Sequence, residues 1–360
     1  MTVAFYISGH GFGHASRSIE VINALIDRHS GARVIIRSAV APWLVGRTAR
    51  PGVVLEPVET DTGVIQLDSL NLDEVATLSR AREFMAAFPA RVAVEAAWLR
   101  QAGVTAVVAD IPALGIAAAH AAGVPGIALG NFTWDWIYSG YDGSGDLVEQ
   151  IGDIYRHTTI ALRLPMWGGF ATMPAVRDVP FIARRSSRDP AEVRRLLGLP
   201  TNERLALASF GGYGVDGLDV AALRQLSGYR ALLPGDVDEA AMYASGLRYE
   251  DLVRAVDVVV SKPGYGIVSE CLANDTALLY TSRGHFVEYE VLVAAMPQFL
   301  RAAFIEQADL FAGHWRPHLD ALMAQPAPPE HPPTNGADVA ANRILEFTGD
   351  QEVRSQNNSS

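Results

Sequence analysis

The feature that most constrains the fold is a short apolar strand, a glycine-rich loop and a helix in succession, a pattern that occurs in both halves of the chain. In the first half, residues 3–7 lead into Gly9-His10-Gly11-Phe12-Gly13-His14, and apolar side chains at helical spacing predict a helix at about 16–29. Repeated strand–loop–helix units are typical of parallel sheets covered by helices. The pattern therefore predicts an α/β fold with doubly wound parallel sheets.

The alternation of strands and helices continues along the chain in two series. The first has further predicted strands at 33–38, 53–58, 104–109 and 126–129, with helices at 73–101 and 112–122. The second begins with a strand at 205–209. A chain of 360 residues exceeds one typical domain. We therefore predict two Rossmann-like domains at 1–165 and 201–323, a linker at 166–200, a crossing segment and final helix at 324–347, and a disordered tail at 348–360.

Charge and composition limit the classes of partner. A formal net charge of −11 argues against nucleic acid, because its phosphate backbone would be repelled. No apolar run is long enough to predict a spanning helix, and the first residues look like a core strand rather than a leader. Cys271 is the single cysteine, which excludes an internal disulfide and fits a reducing cytosol. The histidines show no metal-ligand spacing. We therefore predict a cytoplasmic protein without a metal, and the oligomeric state stays open.

Three polar residues fall at the carboxyl ends of predicted strands in the first half: His14, Asp110 and Asn131. Ligands of doubly wound sheets bind at this edge. If Asp110 meets His14, the pair forms an oriented general base, in which the carboxylate fixes the tautomer and stabilises the imidazolium. Two structural interpretations stay open: Asp110 caps the next helix, and His10 and His14 are ordinary turn residues.

An aromatic cluster follows Asn131: Phe132, Trp134, Trp136, Tyr138 and Tyr141. Such rings either cover the core or form the wall of an acceptor site, since sugar rings and lipids both pack against aromatic surfaces. The sequence leaves both interpretations open.

Two glycine loops in the second half, at 209–214 and 261–266, each precede a predicted helix. Backbone amides at helix N-termini bind phosphate groups, and Lys262 adds a positive charge. The pair of loops therefore predicts a diphosphate site, although each loop alone could be turn chemistry. After the strand at 277–281, Glu288 either holds two vicinal hydroxyls or, with Glu290, starts a solvated helix.

These residues resemble a known family. The two halves and the motif from Lys262 to Glu270 are similar to nucleotide-sugar glycosyltransferases of the GT-B fold, which have two Rossmann-like domains with a crevice between them. The motifs at 9–17, 131–138 and 286–290 resemble, more narrowly, the glycosyltransferase-like region of plant L-arabinokinases and its free-standing bacterial relatives. The resemblance spans about residues 3–295.

The resemblance implies roles for individual residues. His14 matches the catalytic histidine and Asp110 its orienting aspartate, in an acceptor-binding N-terminal domain. The C-terminal domain would bind the nucleotide-sugar, with Glu288 and Tyr289 at the ribose or sugar. Two further sets complete the predicted site. The acceptor set is His10, Asn131, Trp134 and Trp136, and the diphosphate set is Gly13, Phe210, Gly211, Gly212, Lys262, Gly264, Tyr265 and Gly266.

The sequence departs from the family at two places. Lys262-Pro263-Gly264 stands where many members have His-x-Gly, so the lysine or the backbone must make the phosphate contact. Glu288-Tyr289 replaces the usual acidic residue followed by glutamine, which leaves the sugar of the donor open.

The implied activity is inverting, metal-independent transfer of a sugar from a nucleoside diphosphate to a hydroxyl acceptor. The nucleotide-sugar, UDP-linked by preference, is a substrate, and no cofactor is expected. Two alternatives stay open: a nucleotide-sugar 2-epimerase, and a regulatory module that binds a nucleotide-sugar without turnover.

Overall fold

The computed structural model describes residues 1–211 and 214–348. The chain forms two compact units. Unit 1 comprises Met1–Ile65, Asp73–Ile182 and the part from Pro333 onward, and unit 2 comprises Gln66–Leu72 and Ala183–Pro332. Each unit contains one parallel sheet. The predicted fold class, two parallel-sheet α/β domains, is confirmed.

Unit 1 contains a seven-stranded sheet in the order β3-β2-β1-β4-β5-β6-β7. The strands β1 and β4 at its centre are almost wholly buried, as their near-continuous apolar sequences predict. The strands are β1 (Thr2–Ile7), β2 (Arg33–Ser38), β3 (Val54–Pro57), β4 (Ala106–Asp110), β5 (Gly126–Gly130), β6 (Ile160–Arg163) and β7 (Val176–Asp178). The helices are α1 (Gly11–Arg28), α2 (Pro42–Thr48), α3 (Glu74–Ala86), α4 (Phe88–Gln101), α5 (Ala113–Ala122), α6 (Trp134–Ser139), α7 (Gly145–Tyr155) and the last helix of the chain, α16 (Gly336–Glu346).

Unit 2 contains a five-stranded sheet in the order β12-β11-β10-β8-β9. The strands are β8 (Arg204–Ala208), β9 (Tyr229–Leu232), β10 (Val258–Ser261), β11 (Ala277–Tyr280) and β12 (Ala302–Phe304). The helices are α8 (Pro190–Leu196), α9 (Val220–Arg224), α10 (Glu239–Ala244), α11 (Tyr249–Ala255), α12 (Tyr265–Ala273), α13 (Glu288–Phe299), α14 (Gln307–Phe311) and α15 (Arg316–Met323).

Two helices differ from their predicted bounds. The predicted helix at 73–101 is two helices, α3 and α4, because Pro89 occupies the first turn of α4 and cannot continue a preceding helix. The helix α1 begins at Gly11, five residues before the predicted start. His14 is therefore the fourth residue of a helix and not part of a loop.

The structure assigns the predicted linker and final helix to particular units. Residues 166–182 lie in unit 1, because β7 pairs with β6. The helix α16 also lies in unit 1, where the amide of Gly336 donates to the carbonyl of Phe181 at 2.9 Å. Of the predicted disordered tail, residues 349–360 lie outside the described part of the chain.

The segment Gln66–Leu72 belongs to unit 2 although its neighbours in sequence belong to unit 1. Leu70 is 3% exposed and lies in the same core cluster as Phe210 and Val260. Ser69 Oγ donates to the carbonyl of Phe210 at 2.8 Å, and the amide of Gly284 donates to the carbonyl of Leu70. This 66–72 segment thus completes the core of unit 2.

Within residues 1–211 and 214–348, none of the helices has both the length and the apolar character needed to cross a bilayer. Cys271, the single cysteine, is wholly buried in α12.

Candidate functional site

His14 and Asp110 form a hydrogen-bonded pair in unit 1. The parallel strands β1 and β4 pair with Ile7 opposite Asp110, so the start of α1 and the end of β4 lie at one edge of the sheet. His14 Nδ1 lies 2.8 Å from Asp110 Oδ1. Asp110 is completely buried and His14 is 6% exposed. An ionised carboxylate accepts from Nδ1–H, which leaves the lone pair of Nε2 to accept a proton.

Arg17 and Ser18 complete the surroundings of Asp110. Arg17 Nε and Ser18 Oγ each donate to Asp110 Oδ2 at 2.7 Å. Burial by itself would raise the pKa of Asp110, but the charge and hydrogen bonds of Arg17 hold this pKa well below its usual range. Asp110 is therefore ionised at neutral pH, as a group that stabilises an imidazolium must be. The interpretation of Asp110 as a helix cap is wrong, because Pro112 is the N-cap of α5.

Sequence reasoning missed Arg17 and Ser18 as functional residues. Their helical spacing could have identified them, because His14, Arg17 and Ser18 stand at positions i, i+3 and i+4 and so share one face of α1. Arg17 Nη2 also lies 3.0 Å from His14 Nδ1, so the arginine contacts both members of the pair.

Asp61 is a second carboxylate of this site, and sequence reasoning missed it as well. Its Oδ1 accepts from Ser8 Oγ at 2.9 Å and its Oδ2 accepts from Trp134 Nε1 at 2.8 Å. Burial raises the pKa of Asp61 to about 6, and the nearby His14 acts in the opposite direction. Asp61 keeps some exposure and lies in an irregular stretch outside every helix and strand, where no periodicity or motif marks it.

The predicted acceptor residues occupy two kinds of position. Asn131 and Trp134 are buried: Asn131 Oδ1 accepts from Arg17 Nη1 at 2.6 Å, and the Trp134 ring lies 6.4 Å from the His14 ring. His10 and Trp136 are partly exposed, and the His10 ring meets Trp134 edge-on at 6.0 Å. Asn131 and Trp134 therefore position other groups, and contact of any of the four with an acceptor stays a prediction.

The rest of the aromatic cluster packs around Trp134. Tyr138 stacks on Trp134 with ring centroids 5.7 Å apart and donates to the carbonyl of Gly63 at 3.0 Å. Phe132 is 3% exposed and meets the His14 ring edge-on at 5.4 Å. Most of these rings thus cover the core, and they also fix the position of the histidine.

The predicted diphosphate residues of unit 2 lie at the ends of β8 and β10. Gly211 is exposed with a positive φ of 74°, whereas Phe210 is 4% exposed and packs into the core. Gly212 lies outside the described residues. Gly264 is the N-cap of α12, and among the described residues no atom beyond its chain neighbours lies within 4 Å of the position that a Cβ would take there, so these residues leave its backbone open to a ligand. Tyr265 and Gly266 form the first turn of α12.

Lys262 precedes this helix start and has unusual electrostatic surroundings. Burial and, next to it, the charge of Arg283 lower the pKa of Lys262 to about 7, while Asp68 acts in the opposite direction. Arg283 Nη1 donates to the carbonyl of Pro263 at 3.3 Å, and its guanidinium lies 4.2 Å from the centre of the Phe286 ring. Sequence analysis assigned no role to Arg283 or Asp68.

The remaining predicted residues are placed as follows. Glu288 is the first residue of α13 and is 4% exposed, and Tyr289 follows it with partial exposure. Gly13 is the third residue of α1, in unit 1, with open space at its Cβ position. Roles in donor binding stay predictions for all three. Across residues 1–211 and 214–348, no group of three or more His, Cys, Asp or Glu side chains could hold a metal ion.

Comparisons with known proteins place this geometry in context. No family model matches the chain. L-arabinokinase of Arabidopsis thaliana is 29% identical over 363 residues, which cover 96% of this chain and 34% of that protein. The chain thus spans about a third of the length of the curated relative it matches.

Several solved glycosyltransferase structures resemble the chain. VinC in complex with DTDP has a TM-score of 0.54 at 18% identity, covering 97% of this chain and 96% of that one. The calicheamicin glycosyltransferase CalG4 has a TM-score of 0.60 at 14% identity, with 97% and 99% covered. UGT2 of Phytolacca americana, complexed with UDP-2fluoro-glucose and pterostilbene, has a TM-score of 0.59 at 12% identity, with 96% and 94% covered. The chain therefore has the GT-B fold of the glycosyltransferases.

Proposed function

We propose that this protein is an inverting glycosyltransferase that moves a sugar from a nucleoside diphosphate to a hydroxyl acceptor without a metal ion. The observation that carries the proposal is the His14–Asp110 pair, a buried imidazole held by an ionised carboxylate at the ligand-binding edge of a parallel sheet. A buried ion network around one histidine is costly unless it serves a purpose, which favours catalysis over binding alone.

The reaction is a single displacement. His14 Nε2 takes the proton of the acceptor hydroxyl while that oxygen attacks the anomeric carbon, and the bond from this carbon to the diphosphate oxygen breaks. Attack opposite to the leaving group inverts the anomeric configuration. Asp110 stays ionised beside the imidazolium, because Arg17 keeps its pKa low.

The leaving group gains negative charge as its bond breaks. In unit 2, the N-terminus of α12, the open backbone at Gly264 and the ammonium of Lys262 supply positive potential for that charge. These groups would replace a metal ion. Glu288 and Tyr289, at the start of α13, are the proposed contacts to the sugar or ribose.

We propose UDP- or dTDP-linked donors. The supporting observation is that VinC was solved with DTDP and the Phytolacca enzyme with UDP-2fluoro-glucose, both on this fold. The arabinokinase relative supports a carbohydrate substrate, and a cytoplasmic location is proposed from the single buried cysteine.

The first experiment is a thermal-shift screen of UDP, dTDP, GDP and ADP and their sugars. A ligand at 100 times its dissociation constant stabilises by about 2.7 kcal/mol, which is readily measured. The donor that binds is then incubated with a panel of sugar and aromatic hydroxyl acceptors, and NMR reads the anomeric configuration of the product.

His14→Ala should lower the transfer rate about 10²–10⁴-fold, as expected for loss of a general base. The matched control is His120→Ala, since His120 is an exposed histidine at the end of α5. An epimerised sugar formed without any acceptor would indicate a 2-epimerase instead. Tight binding without product across the panel would indicate a regulatory module.

A further inference from the structure

Two basic side chains meet at the predicted diphosphate loop of a chain that carries 40 acidic and 29 basic residues. Lys262 follows β10 and Arg283 follows β11. These strands are parallel neighbours with Ser261 opposite Tyr280, so both loops leave the sheet at the same edge. Arg283 donates to the carbonyl of Pro263, which directly follows Lys262. The guanidinium therefore lies against the loop that Lys262 begins.

The helix α12 starts three residues after Lys262. Its first amides have no partner within the helix, and its N-terminus carries the positive end of the helix dipole. The two cations thus lie beside the loop that leads into the start of α12. A guanidinium offers two parallel N–H donors to two phosphate oxygens, whereas an ammonium acts as a point charge, so Arg283 and Lys262 are complementary.

The two cations also repel each other, which disfavours the charged form of Lys262. After burial, the charge of Arg283 is the next cause that lowers the pKa of Lys262 to about 7, and Asp68 of the 66–72 segment offsets only part of this. A bound anion would favour the charged form of Lys262 and raise its pKa. Binding near or above neutral pH then requires Lys262 to take up a proton.

We propose that Arg283 binds the diphosphate of the ligand together with Lys262, and that Lys262 takes up a proton from solvent when the diphosphate binds. This inference rests on the proposed role of unit 2 as the donor-binding unit. It adds a binding residue that the sequence motif does not contain, and it makes nucleotide affinity pH-dependent.

The test is isothermal titration calorimetry of the full chain with UDP, dTDP, GDP and ADP, in two buffers of different ionisation enthalpy at pH 6 and pH 8. For the diphosphate that binds most tightly, the wild type should take up close to one proton at pH 8 and few at pH 6. Arg283→Gln should bind this diphosphate about 10–100-fold more weakly, as for loss of hydrogen bonds to a charged group. Its proton uptake at pH 8 should also fall, because Lys262 loses the neighbouring charge that lowers its pKa and so keeps more of its proton without ligand.

The matched control is Arg195→Gln, which removes one exposed positive charge from α8 in the same unit. It should bind like the wild type. Arg283→Lys keeps the charge but loses the paired donors, so it should bind the diphosphate several-fold more weakly while its proton uptake persists. This variant also keeps the test valid if Arg283→Gln fails to fold.

The outcomes separate this inference from the proposed function. Equal affinity and equal proton uptake in wild type and both Arg283 variants would overturn it while leaving the donor-binding role intact. If none of the four nucleotides binds, inorganic pyrophosphate is titrated. Binding of pyrophosphate that depends on Arg283 would support the inference although the nucleotide assignment fails, and no binding of pyrophosphate would overturn both.

Discussion

The hydrogen bonds around Asp110 show how individual residues build the candidate site. One buried carboxylate accepts from His14, Arg17 and Ser18, three residues of a single helix. Each donor has a different effect: the imidazole is oriented, the guanidinium keeps the carboxylate ionised, and the hydroxyl satisfies a remaining lone pair. The second carboxylate, Asp61, lies near this network and accepts from side chains outside α1.

Arg17→Gln should destabilise unit 1 by about 3–5 kcal/mol, because it leaves the Asp110 charge buried with fewer partners. The low pKa of Asp110 in the folded state contributes stability above the unfolded value of 3.8, and this contribution is lost as the pH falls. The difference in the free energy of unfolding between wild type and Arg17→Gln should therefore become smaller below about pH 4. Urea unfolding at pH 7 and pH 3.5 measures both effects.

The control for this change is Arg28→Gln on the same helix. Arg28 pairs with Asp338, of which half is exposed, so the expected loss is at most about 1 kcal/mol. Equal losses for the two variants would contradict the argument from burial.

Asp61→Asn should raise the free energy of unfolding relative to wild type at pH 8. At pH 4.5 this gain over wild type should be smaller. The pKa of Asp61 is raised to about 6, so the folded state holds this proton more tightly than the unfolded chain, and ionisation above pH 6 costs stability. Two pKa units correspond to ~3 kcal/mol, which the partial exposure of Asp61 reduces to ~1–2 kcal/mol. Asparagine can accept from Trp134 and donate to Ser8.

Thermal unfolding across this pH range tests the Asp61 prediction. Asp142→Asn, an exposed loop change in the same unit, serves as its control and should alter stability by no more than about 0.5 kcal/mol at either pH. A relative loss of stability for Asp61→Asn at pH 8 would show that the ionised carboxylate stabilises the fold.

At the scale of elements, the short 66–72 segment contributes a buried side chain to the core of unit 2. It is closed by a bridge between Gln66 and Leu72, and it places Leu70 among the apolar side chains of unit 2. It also contacts the predicted diphosphate loop at 209–214, through Ser69 to Phe210, and the segment between β11 and α13, through Leu70 to Gly284. Seven residues from the first half of the chain therefore help to shape the edge of the second sheet at which ligand binding is predicted.

Leu70→Ala should destabilise unit 2 by about 2–5 kcal/mol, because it removes a fully packed side chain and leaves a cavity. Leu67→Ala is the internal control, since Leu67 belongs to the same segment but is 69% exposed, and it should change stability by less than about 0.5 kcal/mol. Denaturant unfolding measures both. Similar values for the two variants would mean that the segment does not belong to the core of unit 2.

At the scale of the whole molecule, the chain passes repeatedly between its two units. Unit 1 is completed by α16 after all of unit 2 has been traversed, and Ala340, Ala341 and Ile344 of this helix are fully buried. The last helix of the chain is thus part of the core of the unit that begins at its first strand.

Ending the chain at residue 332 should destabilise unit 1 and spare unit 2. The buried side chain of Ile344 alone is worth about 1.5–3 kcal/mol. We expect His14-dependent transfer to be lost while the nucleoside diphosphate still binds, since every proposed diphosphate contact except Gly13 lies in unit 2. Parallel transfer and calorimetric assays check this, and full transfer by the shortened chain would contradict it.

The local pattern of the sequence predicted much of the fold and part of the site. Apolar periodicity located the central strands, and the glycine-rich turns indicated that α1 and α12 follow them, although both helices begin earlier than the sequence predicts, at Gly11 and Tyr265. Because parallel strands bring their carboxyl ends to one edge, His14 and Asp110 could be expected to meet although 96 residues separate them. These inferences depend on backbone geometry and on the spacing of apolar residues and glycines. Residues close together in the sequence largely determine both.

Tertiary structure alone decided which other side chains join the site. Asp61 and Leu70 lie outside regular secondary structure, and Arg283 follows a strand as many surface cations do. Their partners, respectively Trp134, Phe210 and Pro263, lie far from them in sequence. Such contacts leave no periodic pattern in the sequence. They are selected by packing against distant segments, whereas periodic patterns reflect local conformational preference. The sequence by itself therefore determined the sheets and the meeting of His14 with Asp110, whereas packing decided the second carboxylate, the second cation and the segment that completes unit 2.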